Sequence, residues 1–593
     1  MDSKSINFEN LKIKAVMFQR ILFGFLLLFL GIGSAWSQAR LEVEVQGVEG
    51  KALENVMAYL SIVHHQEDPQ LTEEQIHRLH DKVVDEVQTA LEVYGYYRPQ
   101  IQADLQQYPG QWLARYWIDP GPRMSVEEVN LNLTGEGRDD PAFQALQEDF
   151  PVKKKNPLNH ADYEQGKAAL QQLAAERGYF QAEFTQQKLQ VNLEAYVATV
   201  VLHFSTGPRY RFGPVTFSET VVRPQLLARY VPFEEGELYE SSDLIELHTA
   251  LVDSNYFAEV EVEPQPQQAV DKKVPIEVRL QAVKRHRYSA GVGFGTDTGP
   301  RINLGWENRY VNRRGHRFGF ALRASGIRQA FDTSYVIPIR DPRTDQLAIA
   351  SSFGRESTRT SDSRIAQLGV RRVTARGDWR ETLSLNYRWE DFEIDGESGT
   401  AKLLIPGVIW FRSQADDPIY PRRGHRISLE LRGAAQELLS NNTFSQFTLR
   451  GKMVRSPGSR SRVLVRGALG MSLVSDFSEL PPSVRYFAGG DQSVRGYAFN
   501  TLGAKDDEDR VVGGRNLFVG SLEYEYRLLD KWAVATFYDA GNAFNDFSLD
   551  LQQGAGVGIR WISPVGPIRV DLAWALSKPG TPFRLHVYLG PDL

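Results

Sequence analysis

The chain has no cysteine among its 593 residues. Disulfides, iron–sulfur clusters, thiolate zinc sites and a cysteine nucleophile are therefore all excluded. A net charge of −6 gives no indication of binding to nucleic acid. Beyond the first 40 residues the sequence also lacks any run of 18 consecutive apolar residues. If the mature protein spans a membrane, it must therefore do so with strands, because only helices and closed barrels satisfy every backbone group in lipid.

The amino-terminal segment has the pattern of an export signal. An apolar run over residues 21–30 follows a basic residue and precedes small residues around Ser37 and Ala39. This pattern predicts a signal peptide at residues 1–37 that is cleaved on export. An uncleaved membrane anchor is the alternative, but the run is shorter than the ~20 residues that a spanning helix needs. Cleavage after either small residue, and translation from Met1 or from Met17, are all compatible with the sequence.

One pattern of roughly 80 residues occurs three times in the first half of the chain. Each copy reads as a strand, an amphipathic helix, a Gly-Tyr-aromatic triplet or near variant, and two further strands. The triplets are Gly95-Tyr96-Tyr97, Gly178-Tyr179-Phe180 and Asn255-Tyr256-Phe257, and the first two copies end in Gly-Pro-Arg at 121–123 and 207–209. The repeat predicts three small α/β modules, with bounds 40–121, 122–207 and 208–284.

Sequence signals also place the helix starts of these modules. Thr72 and Gln75 have the spacing of a capping box. Asn159 is the predicted cap in the second module, and Ser241 or Ser242 in the third. We expect the aromatic pair after each helix to fold back beneath the sheet and close its core. The mixed sheet leaves an exposed edge that can accept an extended segment by strand addition. A role as plain spacers is the alternative.

Two patterns suggest ligand sites but lack the residues that would complete them. His77 and His80 lie three residues apart on the first helix, with no third ligand at a defined spacing, so a solvated helix face is favoured over a metal site. Gly291, Gly293 and Gly295 suggest a phosphate-binding loop, but no helical pattern follows them. No metal or cofactor is therefore predicted.

From about Arg285 onward the hydropathy period changes from 3.6 to 2. Along residues 427–432, 521–526, 568–574 and 583–589, apolar side chains alternate with polar or charged ones. In an outer-membrane barrel the apolar face meets lipid and the charged face meets a wet lumen. Residues 285–593, at about 19 per strand and loop, give ~16 antiparallel strands. Two soluble β-sandwich domains are the alternative. Candidates for the aromatic girdles are Tyr310, Trp410, Phe411 and Trp561.

The closure of this barrel is predicted to be weak. A barrel closes by pairing its first strand with its last, and the first strand here is rich in glycine, which weakens pairing and eases bending. The predicted seam therefore joins the first strand to the last alternating segment. The residues assigned to the seam are Gly291, Gly293, Gly295, Phe583, Leu585, Val587 and Leu589.

A loop inside the barrel is predicted from the segment Asp491-Gln492-Ser493-Val494-Arg495-Gly496-Tyr497. This segment lies in a polar, glycine-rich stretch of ~40 residues, too long for an ordinary turn. Arginine's rigid fork suits bidentate pairing with a carboxylate in a partly desolvated lumen. We therefore expect the loop to be tucked into the barrel, with Arg495 paired to Asp539 and helped by Glu523. An extracellular loop with a solvated arginine is the alternative.

Several linked motifs resemble one known family. They are Val494-Arg495-Gly496-Tyr497, Phe537-x-Asp539-x-Gly541 and the glycine-rich run at 556–571. These resemble the barrel motifs of the POTRA-plus-barrel superfamily, which includes BamA and the two-partner secretion transporters, and the three repeats resemble its POTRA domains. BamA would carry five such modules, and the secretion transporters two with a plugging helix. Three modules and the Gly590–Leu593 ending resemble the TamA family within it.

The resemblance implies a 16-stranded barrel in the bacterial outer membrane, three periplasmic POTRA domains that are each β-α-α-β-β, a lid loop bearing Arg495 and a seam that opens laterally. It also implies a TamB-like partner, anchored in the inner membrane and crossing the periplasm. The expected function is to help insert or translocate outer-membrane proteins, autotransporter-like clients especially, with phospholipid transport as a linked role. A two-partner-type transporter for one dedicated secreted protein and a passive channel are the alternatives. The other expected partners are outer-membrane protein clients and the lipid bilayer, and no nucleic acid. No catalytic residues are expected.

Overall fold

The computed structural model describes residues 40–68, 70–394, 396–546, 550–564 and 566–589. The predicted signal peptide and the Gly590–Leu593 ending lie outside the described residues. The chain divides into two compact units between Tyr210 and Arg211. Among the described residues, no helix is long and apolar enough to span a membrane.

The first unit contains two modules. The first consists of β1 (Arg40–Gln46), α1 (Gly50–Tyr59), α2 (Ser61–His64), α3 (Glu73–Asp81), α4 (Val83–Glu92), β2 (Gln100–Tyr108) and β3 (Gln111–Asp119). The second consists of β4 (Ser125–Thr134), a 3-10 turn (Glu136–Asp139), α5 (Pro141–Glu148), α6 (His160–Glu176), β5 (Glu183–Asn192) and β6 (Val197–Ser205).

The second unit begins with the third module. It consists of β7 (Arg211–Phe217), α7 (Pro224–Leu227), a 3-10 turn (Ala228–Tyr230), α8 (Ser241–Asp253), β8 (Phe257–Pro264), a 3-10 turn (Pro266–Gln268) and β9 (Lys273–Ala282). The three sheets have the same topology, with strand orders β1-β3-β2, β4-β6-β5 and β7-β9-β8. In each, the central strand is parallel to the first strand and antiparallel to the other. Within the described residues, the outer strands β1, β2, β5 and β8 therefore have an unpaired edge, whereas the outer edges of β4 and β7 are bonded near their beginnings to the segments around Asn156 and Glu237.

Two of the three predicted helix caps are confirmed. Thr72 forms the capping box with Gln75, and the Asn159 side chain accepts a hydrogen bond from Ala161 N. The prediction of a serine cap in the third module is wrong, because α8 begins at Ser241 and the extended residue before it is Glu240, which makes no side-chain cap bond. A cap side chain must precede the first helical residue to reach the free N–H groups.

The aromatic triplets do more than close their own cores. Tyr96 packs against the core of the first module as predicted, but Tyr97 packs against the second module. Its hydroxyl lies 2.8 Å from His160 Nε2 at the start of α6. In the second module Tyr179 is buried in the core. One ring therefore completes the module, and in the first copy the other ring joins it to the next.

The arginine of each Gly-Pro-Arg returns to the end of the preceding helix. Arg123 Nε donates to Tyr94 O at 2.7 Å, and Arg209 Nε donates to Arg177 O at 3.1 Å. Both carbonyls belong to the residue before the glycine of the triplet, where a helix leaves acceptors without partners. In the first two modules, the closing Gly-Pro-Arg is therefore bonded to the residue just before the aromatic triplet.

The rest of the second unit is a closed barrel, and the predicted fold is confirmed. Within the described residues sixteen strands pair in chain order, each antiparallel to the next. They are β10 (His286–Gly295), β11 (Gly299–Asn308), β12 (Arg317–Ser325), β13 (Arg328–Pro338), β14 (Asp345–Ser357), β15 (Ser361–Arg376), β16 (Trp379–Ile394), β17 (Glu397–Ala415), β18 (Gly424–Ala434), β19 (Phe444–Arg455), β20 (Ser461–Val474), β21 (Asn516–Leu529), β22 (Trp532–Phe544), β23 (Gln552–Ser563), β24 (Gly566–Ala575) and β25 (Phe583–Leu589).

The barrel wall is apolar outside and charged inside. Val292 is 85% exposed and Leu368 59% exposed on the outer face, whereas Asp539 and Arg560 inside are fully buried. This arrangement suits lipid outside and a polar interior. Of the girdle candidates, Trp410 and Trp561 lie on the outer face, as a girdle requires. The other two candidates were misplaced: Phe411 lies beneath Arg426 on the inner face, and the Tyr310 hydroxyl bonds Val283 O.

The third module is fastened to two turns of the barrel. Tyr256 of its triplet donates to Gly315 O at 2.5 Å, in the turn between β11 and β12. Arg343, in the turn between β13 and β14, contacts Glu246 of α8 at 2.5 Å. Both turns lie at the end of the barrel where β10 begins, and so the first strands of the barrel are held by this module.

Candidate functional site

A long loop, residues 475–515, joins β20 to β21 and folds into the barrel. Its buried side chains fall into two groups. Leu480 and Val484 pack against Leu403 and neighbouring residues of the wall, and Tyr486 and Tyr497 pack against the wall near Val519. Burial of these apolar side chains holds the loop inside. We call residues 475–515 the lid loop and residues 494–497 its tip.

Arg495 at the tip is enclosed by carboxylates of the wall. Its side chain is 3% exposed. Nε and Nη2 donate to the two oxygens of Asp539 at 2.7 and 3.0 Å, and the backbone N donates to the same group at 3.1 Å. Nη1 donates to Glu523 at 2.6 Å and to Asp571 at 3.1 Å. The guanidinium also lies 3.4 Å from the Phe537 ring centroid. The sequence predicted the contacts with Asp539 and Glu523 but not the one with Asp571.

A second buried arginine completes this network. Arg560 on β23 donates to Glu523 at 2.7 Å, to Asp571 at 2.5 Å and to Glu525 at 3.2 Å. Two of its carboxylate partners are therefore shared with Arg495. Pairing of this kind is required for buried charges, and removal of one partner leaves the others uncompensated. The sequence motif contained Arg560, but nothing in its local pattern gave it a partner.

The wall strand β23 is shaped to receive the tip. Glycine occupies three successive inward positions. A Cβ at Gly554 would collide with Arg495 O, one at Gly556 with the Phe537 ring, and one at Gly558 with the Asp571 carboxylate. These glycines therefore allow the lid loop and the charged network to lie directly on the backbone of the wall.

The other predicted lid residues fit tightly around Arg495. Val494 and Tyr497 are buried. Gly496 has φ +95, and a Cβ there would lie 2.9 Å from Ala575 N, so both conformation and space favour glycine. At Gly541 a Cβ would lie 2.6 Å from Phe518 O, so this position also has no room for a side chain.

Among the described residues, the first and last strands of the barrel are joined by a very short ladder. Gly295 and Tyr588 form one pair between β10 and β25, whereas β24 and β25 share seven pairs. Beyond that pair, Thr296 N donates to Val587 O, and Val587 N donates to the Thr296 hydroxyl, each at 3.1 Å. The structure therefore places Gly295 and Val587 at the seam.

Two of the other residues assigned to the seam require correction. In the antiparallel register set by Gly295 and Tyr588, Phe583 and Leu585 lie level with the turn after β10 and the start of β11, and so extend past the first strand. On its other edge β25 pairs with β24 from Phe583 to Leu589. In the same register the partners of Gly291 and Gly293 fall outside the described residues, so the assignment of these two glycines to the seam stays a prediction.

Four residues for which the sequence predicted no such contact bring the lid loop to the seam. Asp491 Oδ1 accepts from the Thr296 hydroxyl at 3.1 Å, and Asp491 N donates to Asp297 Oδ2 at 2.5 Å. His586 of β25 contacts Asp491 through Nδ1 and accepts from Gly496 N through Nε2 at 3.0 Å. The order of residues along the chain gives no local signal for these contacts.

Asp297, Asp491 and His586 form a group whose spacing also suits a metal ion, since their ligand atoms lie within 4.8 Å of one another. The hydrogen bonding favours a different interpretation. Because Nε2 of His586 accepts from Gly496 N–H, the proton of the neutral ring is on Nδ1, which then donates to Asp491 and has no lone pair for a metal. A positive side chain, Arg584, already lies 3.8 Å from Asp297. Burial, and then the adjacent Asp491 carboxylate, raise the pKa of Asp297 and so disfavour the charged form that a metal ion would bind.

The paired histidines of the first module belong to its packing. His80 Nδ1 lies 3.0 Å from the Tyr116 hydroxyl, and His77 packs edge-on against Trp112 with ring centroids 5.3 Å apart. Burial lowers the pKa of His80. The predicted solvated face is therefore only partly correct, because both rings lie against the central strand β3.

Comparison with known proteins gives two matching families. A family model described as the Omp85 superfamily domain matches residues 284–590, more than half of the chain. A model described as POTRA domain TamA domain 1 matches residues 42–120. Both matches cover segments whose folds are described above, the barrel and the first module.

Individual relatives are more distant. The chain is similar to the outer membrane protein assembly factor BamA of Nitratidesulfovibrio vulgaris, with 22% identity over 376 residues that cover 60% of this chain and 47% of that protein. It is also similar to BamA of Neisseria meningitidis serogroup B, with 24% identity over 483 residues, 68% of this chain and 58% of that protein. The chain thus spans about half the length of these relatives. The structure of BamA from Haemophilus ducreyi lacking POTRA domains 1–3 has a TM-score of 0.68 at 17% identity, covering 79% of this chain and 99% of that one, and shares the fold.

Proposed function

The chain belongs to the Omp85 superfamily, and on that premise we propose that it helps to insert or translocate other outer-membrane proteins. It is a barrel protein of the outer membrane with its POTRA domains in the periplasm. Within the superfamily we assign it to the TamA type, which the match of its first module favours. The proposed clients are autotransporter-like and other barrel proteins, and the proposed partner is a TamB-like protein anchored in the inner membrane. No bond is broken in this role.

The observation that carries the proposal is the seam. Among the described residues, which end at Leu589, one ladder pair closes it, whereas β10 and β11 share ten. A backbone hydrogen bond contributes only about 1 kcal/mol net, so the described part of this seam separates at lower cost than any long strand pair. An open seam exposes the backbone groups of β10 and β25 to the membrane, and an incoming client strand can pair with them.

The periplasmic modules support the same role. Each three-stranded sheet has an unpaired edge within the described residues, at β1 and β2 in the first module, β5 in the second and β8 in the third. Such edges bind extended segments through backbone hydrogen bonds, with little dependence on sequence. This property suits a protein that receives many unfolded clients or docks an elongated partner. A passive channel requires neither the modules nor the lid loop.

The test is depletion of the protein in its native cell, followed by quantitative proteomics of outer-membrane and secreted fractions. Loss of several unrelated barrel or autotransporter proteins is the expected result. Loss of one secreted protein with all barrels intact would instead identify a two-partner-type transporter. Phospholipid composition of the outer membrane is measured in the same cells. A change in lipid that precedes any loss of protein would make phospholipid transport the primary role.

A further inference from the structure

Asp491 connects the lid loop to both sides of the seam. Its carboxylate accepts from Thr296, which follows the first strand, and contacts His586 on the last strand. The Asp491 and His586 side chains are 8% and 2% exposed. Contacts this well buried keep more of their strength than exposed ones, because water competes less for the groups.

The Thr296 hydroxyl ties these contacts to the ladder itself. A hydroxyl has one proton, and here the proton is directed to Asp491. The oxygen lone pairs are then free to accept from Val587 N–H. The bond from Val587 N–H to the Thr296 hydroxyl crosses the seam. Its geometry is therefore set by Asp491 of the lid loop. Loss of the Asp491 carboxylate would free the hydroxyl to rotate.

Asp491 is also coupled to the tip. Arg466 donates to the backbone oxygen of Asp491 at 3.2 Å and lies 3.6 Å from Asp539, the carboxylate that holds Arg495. The Gly496 amide, one residue further on, donates to His586. Displacement of the tip would therefore withdraw Asp491 and Gly496 from the last strand together.

We propose that Asp491 and His586 form a latch, so that release of the lid loop and opening of the seam are one event. The latch rests on the proposed role of the seam as the opening side of the barrel. While the lid loop is seated, its own residues add to the bonds that Gly295 and Thr296 form with β25. When a client or partner displaces the tip, those contacts are lost and the seam is held less firmly.

The latch is tested on full-length protein in lipid bilayers by distance measurement across the seam. The chain lacks cysteine, so Gln329→Cys and Pro579→Cys can carry spin labels. Both positions are exposed at the lid-loop end of the barrel on opposite sides of the seam. Amide hydrogen exchange at Arg495 and Gly496 reports on the tip in the same samples.

Asp491→Ala is expected to add a longer-distance population across the seam and to speed amide exchange at the tip. Arg495→Lys, which keeps the charge but loses the bidentate fork, is expected to do the same, although Arg495 touches no residue of the ladder. The control is Asp507→Ala, which removes an exposed carboxylate of the same loop and should change neither readout.

Two results would overturn the latch. One is an unchanged seam distance in Asp491→Ala. The other is a faster-exchanging tip in either variant with the native seam distance, which would show that the lid loop and seam move independently. Asp491→Ala alone decides the question if Arg495→Lys leaves the tip seated. Neither result bears on which clients are lost on depletion, so failure of the latch and failure of the proposed function are separable.

Discussion

Arg495 and Arg560 both bind the carboxylate of Glu523. Nη1 of Arg495 lies 2.6 Å from one oxygen and Nη2 of Arg560 lies 2.7 Å from the other. Arg495 belongs to the lid loop and Arg560 to the wall, so a single side chain joins the two. Asp571 makes a second bridge of the same kind. The lid loop is therefore held by a charged network that the wall itself needs for compensation.

Glu523→Gln is expected to destabilise the folded barrel. The amide keeps the size of the side chain but leaves both arginines with less negative charge, and breaking a buried ion pair on one side costs about 3–5 kcal/mol. Unfolding in denaturant, followed by the gel mobility of the folded barrel, measures the change. Glu437→Gln, at an exposed position outside the network, is the control. Equal midpoints for the two variants would show that the network is solvated.

Arg495→Cys combined with Asp539→Cys should form a disulfide under mild oxidation. The Asp539 carboxylate accepts from the backbone N of Arg495 at 3.1 Å, so the two residues are neighbours when the lid loop is seated, as a disulfide requires. Arg495→Cys with Asp530→Cys is the matched control, since Asp530 lies in the turn at the opposite end of β21. Absence of the first crosslink in a folded barrel would contradict a seated lid loop.

Gly554→Ala is expected to unseat the tip without unfolding the barrel. The added methyl group meets Arg495 O directly, and backbone atoms on both sides leave it no room. Gly451→Ala on β19 is the control, because a Cβ there has no neighbour within 4 Å. Amide hydrogen exchange at residues 494–497 is the measurement. Faster exchange in Gly554→Ala only is the expected result, and native exchange in both variants would refute the close approach.

Asp140 gives the second module a defined pH dependence. The carboxylate is 2% exposed and bonds Arg177 at 2.8 Å and Tyr179 at 3.0 Å. Burial opposes its charge, but the bonds from Arg177, Ala142 N–H and Tyr179 outweigh burial and lower the pKa of Asp140. Stabilisation from a lowered pKa is present above the ordinary aspartate value of about 4 and is lost as pH falls through the folded pKa.

Asp140→Asn in a fragment of residues 40–210 tests this dependence. At neutral pH the variant should be less stable than the native fragment by about 2 kcal/mol, the scale for hydrogen bonds to a charged group. The difference should shrink as pH falls below about 4 and through the lowered pKa of the folded state, because the carboxyl group of the unfolded chain is protonated first and the native carboxylate only at lower pH. Denaturant unfolding at several pH values measures it. A difference that stays constant down to low pH would assign the effect to packing instead of charge.

The fold was predictable because its signals are local. A period of 2, the Thr72 capping box and the repeated triplets each depend on residues within one turn or strand. The Arg495–Asp539 pair was also accessible, since both residues lie in recognisable motifs. The contacts of Asp491 were not, because they join residues 195 positions apart to Thr296 and 95 apart to His586. The extent of the seam depends on register, which no single strand specifies.

Tyr256→Phe is expected to loosen the third module from the barrel without unfolding the barrel. Burial raises the pKa of Tyr256 to about 12, so at neutral pH the hydroxyl is protonated and donates to Gly315 O. Its loss leaves that carbonyl without this donor, at a cost of about 1–3 kcal/mol for a buried group. Faster amide exchange in the turn at 309–316 is the expected result. Tyr288→Phe, on the lipid-facing surface and 76% exposed, is the control. If both variants exchange alike, the junction depends on Arg343 and Glu246 instead, and a double variant of that pair would show the faster exchange.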